Sequence, residues 1–578
     1  MLSCRHWLAA VIAVILAAGC GADKPPPSTA KLEPVDTIYS GGSILTMAGE
    51  TPFYVEALAV RNGLIVMTGT RAEAAKLAGP TTRQVDLGGK ALLPGFIDAH
   101  SHLLNYADSL VQANLNAPPL GPVKGIGDIL AELRRLKDET RSDDATWLIG
   151  QGYDQDQLAE RRHPAAADLD KAFPGNPVVL LHASGHMLVA NSAALKAVNI
   201  TADTADPPGG TILRRKGSKQ PAGLIQETAM MPFMAVLKGS RPQDSSLELV
   251  RRAVAHYASR GYTTAAEHLV MPPQMPLLEA AADQGLFTID LVAAPAFVMA
   301  TEIIGTGKLR WGEYRKGLKY AGIKLALDGS PQGKTAFLTE PYRTPVPGCR
   351  QECRGLPSLS PEELRALLTL AYRNGVQVFA HANGDAAIDM LIAGHREVEK
   401  TLAEVRSDRR TVVIHSQIVR PDQLKSFQTL GLVPSFFSNH VFYWGDVHVA
   451  NLGAQRGNFI SPLRAAFAEG LRATNHTDAT VTPVDPLFLL WTSVNRVSRS
   501  GRIIGEDQRI SPYEGLRALT IHGAHEYFEE ETKGTLEPGK LADLVVLDQD
   551  PLKVDPTALR DIRVLETVKR GRTVYRAN

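Results

Sequence analysis

Eight apolar runs rich in β-branched residues recur along the middle of the chain, separated by stretches of helical character such as Pro361 to Arg373. They are Gly95 to His102, Tyr262 to His268, Leu286 to Ala293, Ala321 to Asp328, Val376 to His381, Thr411 to His415, Leu432 to Phe437 and Leu471 to Asp478. Short strands alternating with helices build βα units around a parallel sheet. Eight such units predict an α/β fold, a closed (β/α)8 TIM barrel. The gap from Leu103 to Gly261 is far longer than one βα connection, so an inserted α/β segment is expected at about 103–261, where it can serve as a wall or lid for a substrate pocket.

Outside the barrel the pattern changes to β-rich ends. The first includes Ser43 to Met47, Ala57 to Val60, Leu64 to Thr68 and Gln84 to Leu87, with Asn62-Gly63 as a type I′ hairpin signal. The second includes Leu544 to Leu547, Arg563 to Val568 and, after a turn at Arg570-Gly571-Arg572, Thr573 to Tyr575. The reading therefore places β structure at 35–93 and 531–578 around a barrel at 94–530. Of 578 residues 44% are hydrophobic and 21% charged, which supplies a large core and excludes disorder or coiled coil. With 62 Lys plus Arg against 61 Asp plus Glu and no basic block, nothing marks a nucleic-acid surface.

Residues 1–19 combine a short basic start, an apolar run from Trp7 to Gly19 and a small-residue exit, the pattern of a secretion signal. The run falls short of the ~20 residues that a membrane-spanning helix needs. Residues 20–34, with three prolines at Pro25 to Pro27, read as a solvated linker. Ala17-Ala18-Gly19-Cys20 resembles a bacterial lipobox, which implies cleavage before Cys20, acylation of its sulfur and a lipid anchor to a bacterial membrane, on the periplasmic side or cell surface. Export would place Cys349 and Cys353 in an oxidising compartment, where their loop accommodates either a short disulfide or two free thiols.

Six of the runs end in His or Asp, residue types that bind metal, and barrel strands converge at their carboxyl ends. In His100-Ser101-His102 two imidazoles stand at i and i+2, on one side of a strand, with Ser101 facing away. His381 closes the fifth run, His415 the sixth and Asp478 the eighth. Lys324 lies inside the apolar stretch Ile323 to Leu327, where an ammonium needs a partner; a structural salt bridge is the alternative to a role in the site.

Pro94 to His102 resembles the opening motif of the metal-dependent amidohydrolase superfamily. Further segments resemble its amidohydrolase 3 branch, which includes N-substituted formamide deformylase-like enzymes: Pro208-Gly209-Gly210 with Gly223 to Glu227, Asp328 to Gly333, His381 to Asp385, and Gly534 to Asp548. The motifs occur in family order from Val35 to the C-terminus. The resemblance implies a distorted (β/α)8 TIM barrel plus a small β-sandwich built from both ends of the chain. It also implies two metals, usually zinc: His100, His102 and Asp478 around one, His381 and His415 around the other, and Lys324 bridging them after carboxylation. Such a pair would activate a water, with Asp478 moving its proton to the departing nitrogen in the hydrolysis of an amide-type carbon–nitrogen bond.

Substrate determinants are less constrained. His186, in His182 to His186, is a candidate for binding the small-molecule substrate or its carbonyl, or else a structural histidine. His440 and Trp444, in the aromatic segment after the seventh run, are candidates for an acyl pocket, or else part of a packed loop. Rival readings are a deaminase, an ester or lactone hydrolase, and a non-catalytic ligand-binding lipoprotein. A deaminase on this fold often has Glu three residues after the fifth-strand His, where this chain has Gly384. A homo-oligomer is compatible with the sequence.

Overall fold

A computed structural model describes residues 33–239, 243–402 and 408–578. The signal segment, Cys20 and most of the linker lie outside these residues. Among the described residues no helix is long and apolar enough to cross a membrane.

Eight parallel strands follow the apolar runs. The first is Phe96–Ile97, the second Tyr262–Val270 and the third Asp290–Pro295. The fourth comes in two parts, Leu318–Tyr320 and Gly322–Ala326. Gln377–Ala382, Val412–His415, Val433–Phe436 and Thr474–Asn475 complete the set. The divided fourth strand splits the barrel into two half-sheets, because its first part pairs with the third strand and its second part with the fifth. The halves join where Ala321 N–H donates to Ala293 O at 3.0 Å and where Lys324 bridges Ala296. At the other seam Asp478 N–H donates to His100 O at 3.1 Å and His102 N–H to Ala479 O at 2.9 Å.

Ile97, Val292, Ala294, Phe379, Val412, Ile414 and Val433 fill the barrel interior with Tyr527. The barrel interior is therefore a packed core rather than a pore. The inserted segment folds as a six-stranded sheet from Ala113–Asn114 to Pro221–Glu227, covered on both faces by apolar clusters.

The two chain ends meet in one eight-stranded sheet, in which Ala91–Pro94 pairs with Leu544–Leu547. The first strand, Thr37–Leu45, shifts register between Ser40 and Ile44, so its halves pair with different neighbours, Arg83–Asp86 and Ala91–Pro94. Asn62 and Gly63 both have positive φ, 53° and 78°, as a type I′ turn requires. A buried chain of alternating charge ties this sheet to the barrel. Lys319 pairs with Glu529; Lys533 lies 2.7 Å from Glu529 and 2.6 Å from Asp290; Lys569 lies 2.6 Å from Asp290 and 2.7 Å from Asp543. Three cations alternate with three anions, so each charge has an opposite neighbour.

Candidate active site

The strand ends bring His100, His102, Lys324, His381, His415 and Asp478 together at one end of the barrel. His100 and His102 differ from the expectation of a pair on a strand: the first strand ends at Ile97, and His102 directly precedes the helix Leu103–Ser109. They stay on one side because Ser101 between them is turned away, its hydroxyl donating to Ala266 O at 3.0 Å. Two residues beyond His102, the Leu104 backbone N–H donates to buried Glu267 Oε2 at 2.5 Å. Asp478 and His415 both have positive φ, 49° and 71°, a conformation that L-residues adopt at a cost when the surroundings over-determine it.

Asp478 Oδ1 lies 3.3 Å from His100 Nε2 and 3.4 Å from His102 Nε2. These three residues form a group able to hold a metal ion. Lys324 Nζ is 3.5 Å from His100 Nε2, and His415 Nε2 is 3.0 Å from His381 Nδ1. The His100 and His415 rings, 5.2 Å apart centre to centre, join the two halves of the cluster.

The outer ring nitrogens are anchored. His100 Nδ1 meets His268 Nδ1 at 2.8 Å, His415 Nδ1 meets His476 Nε2 at 3.0 Å, and His381 Nε2 donates to Gly329 O at 3.2 Å. Anchoring the outer nitrogen fixes the ring and turns the inner nitrogen to the centre. With Nε2 as donor, neutral His381 carries a bare lone pair on Nδ1, aimed at His415. Buried imidazoles gathered around a carboxylate are the nitrogen and oxygen ligand types that divalent metal takes, and His100, His102 and Asp478 lie close enough to share one ion.

Burial pushes His100, His381 and His415 well below the usual imidazole range, so they are neutral and able to donate lone pairs. Burial also lowers the Lys324 ammonium to about 7, against the opposing pull of Asp478 and Glu526. Burial acts to raise Asp478, but the His102 hydrogen bond and the surrounding imidazoles outweigh it and hold the carboxyl below its ordinary value.

A narrow cleft opens over the cluster, lined by His186, His381, His415, Phe437, His440 and Asp478 among others. His186 comes from the inserted segment. Burial disfavours its charged form, yet Glu227, 2.9 Å away, raises its pKa overall. Trp444 stands behind His440, their rings 4.8 Å apart, and donates its indole N–H to Asp154 Oδ2 of the insertion at 2.8 Å. Cys349 and Cys353 are joined in a disulfide.

Several supporting residues had no role assigned from sequence: Glu227, His268, Asp328, His448 and His476. Asp328 accepts backbone N–H groups from Phe337, Asn383 and Gly384 at 2.9, 2.9 and 2.8 Å, clamping the loop beside His381. Its sequence signals were a carboxylate closing an apolar run and its place at the head of the Asp328 to Gly333 motif.

A sequence model described as the amidohydrolase family matches residues 83–575. The N-substituted formamide deformylase of Arthrobacter pascens is 27% identical over 533 residues, covering 89% of this chain and 94% of the relative. Protein LONG AFTER FAR-RED 3 of Arabidopsis thaliana is 30% identical over 558 residues, covering 93% and 91%. Among solved structures, an uncharacterized metal-dependent hydrolase from Pyrococcus horikoshii shares the fold with a TM-score of 0.71 at 24% identity, covering 90% of this chain and 99% of that one.

Proposed function

Since the chain belongs to the amidohydrolase family, we propose that it hydrolyses a non-peptide, amide-type carbon–nitrogen bond in a small molecule. The observation that carries this reading is the convergence of four histidines, Lys324 and Asp478 at the strand ends under an open cleft. His100, His102 and Asp478 would hold one divalent ion, His381 and His415 a second, both zinc in our reading, with Lys324 between them as its carbamate. When bound, such a pair lowers the pKa of water and polarises a carbonyl.

The chain's own groups do the rest. The depressed pKa of Lys324 leaves much of its amine neutral near pH 7, the form that combines with CO2. Asp478, ionised and beside His102, takes the proton of the attacking water on its carboxylate and delivers it to the departing nitrogen. His186 and His440 line the cleft and orient the substrate, while Phe437 and the Trp444 layer exclude water.

Amide hydrolysis is preferred to ring deamination because of Gly384. A Cβ there would meet Phe337 O at 1.9 Å, so the clamped loop leaves no room for the glutamate that a deaminase would carry. Screening zinc-loaded protein against formamides, N-acyl amines, N-acyl amino acids and cyclic amides tests the reading. Turnover of one class supports it, whereas turnover of esters or lactones alone removes the carbon–nitrogen assignment. We also propose that Cys20 carries a lipid anchor. Loss of membrane-fraction recovery in Cys20→Ala would support that, and unchanged recovery would end it.

A further inference from the structure

His440 and His448 stand eight residues apart on the helix Asn439–Leu452, just over two turns, so both side chains lie on one stripe. Their rings are nearly coplanar, 8° apart, and His440 Nδ1 meets His448 Nε2 at 2.9 Å. Only one of these nitrogens carries the shared proton when both rings are neutral. His448 Nδ1 decides which, because it is buried without a partner among the described residues. A bare lone pair can be buried there more cheaply than an unshared N–H, since orphaned N–H groups are the rarer defect in folded proteins.

Neutral His448 with Nδ1 bare carries its proton on Nε2 and donates it to His440 Nδ1. Neutral His440 must then hold its own proton on Nε2, the ring nitrogen that remains for the cleft it lines. We propose that His448 is a positioning residue that locks His440 as an Nε2–H donor aimed at the substrate's carbonyl oxygen or the oxyanion formed from it. A neutral donor of this kind stabilises developing negative charge without carrying a charge that would attract Asp478 away from its proton-transfer role. The identity of the oxygen rests on the hydrolase reading; the tautomer does not.

Two measurements test this. In ¹⁵N spectra of histidine-labelled, zinc-loaded protein, with the His440 signal assigned by its loss in His440→Gln, the expected signature is a protonated Nε2 and an unprotonated Nδ1. A protonated Nδ1 on neutral His440 overturns the proposal, whether or not an amide substrate is found. In kinetics, His448→Leu should lower kcat by about 10- to 100-fold with little change in KM, a loss in the range expected when one oxyanion donor is misdirected. His448→Gln, whose amide can donate from nearly the same place, should restore most of that loss. Folded His448→Leu with wild-type kcat overturns the proposal, and if that variant does not fold, the wild-type tautomer decides. Absence of amide turnover in wild-type protein would count against the hydrolase reading and leave the tautomer result standing.

Discussion

The backbone N–H of Asp478 donates to the carbonyl of His100 at 3.1 Å, while their side chains meet at 3.3 Å on the same rim. One of the bonds that close the barrel therefore also joins two proposed ligands, and ring closure is coupled to site assembly.

Asp478→Asn keeps the shape of the side chain but removes its proton-accepting charge. Turnover should fall by about 10²- to 10⁴-fold, with an unchanged far-ultraviolet circular dichroism spectrum. Near wild-type turnover would remove Asp478 from proton transfer.

Metal analysis of purified, zinc-reconstituted protein should find about two equivalents per chain. Dialysis against a chelator should abolish activity, and zinc should return it. Lys324→Met, which deletes the proposed bridge, should lower the bound metal toward one equivalent; two tightly held equivalents in that variant would remove Lys324 from the bridging role.

Lys533→Met would leave Glu529 and Asp290 facing one another without the cation between them. Removing one member of a buried ion pair costs about 3–5 kcal/mol. Chemical denaturation should show a loss of that order, located in the joint between the terminal sheet and the barrel.

Glu526 is buried, and burial lifts its carboxyl from 4.5 to about 8, against hydrogen bonding from Thr474. The folded state then keeps a proton that the unfolded chain releases, so stability falls as pH rises from about 4.5 to about 8. The slope from this group approaches about 1.4 kcal/mol per pH unit. Glu526→Gln should flatten the decline in denaturation curves across that range, and an unchanged slope would show that Glu526 is ionised in the fold.

Trp444→Phe removes the indole bond to Asp154 while keeping an aromatic ring behind His440. The expected result is a severalfold rise in KM with a smaller change in kcat, because the wall loosens and the strand-end cluster stays in place. Equal loss in both parameters would put Trp444 closer to the chemistry than its position indicates.

The barrel strands were legible chiefly as apolar runs, and the convergence of His381, His415 and Asp478 follows from their places at the ends of the runs. Other features were not local. Glu227 gains meaning only where the insertion folds back to His186, and His448 only because its outer nitrogen has no partner among the described residues. His100 and His102 sit beyond their strand, and it is Ser101's bond to Ala266 that keeps them paired. No periodicity in one segment encodes contacts of this kind.

The pairing of Ala91–Pro94 with Leu544–Leu547 has a consequence for biosynthesis. An early strand must wait, with one edge unsatisfied, until nearly the whole polypeptide has left the ribosome. A nascent chain arrested before Leu544 therefore presents an open β-edge to its neighbours, and premature termination near the end should produce aggregates rather than a slightly shortened protein.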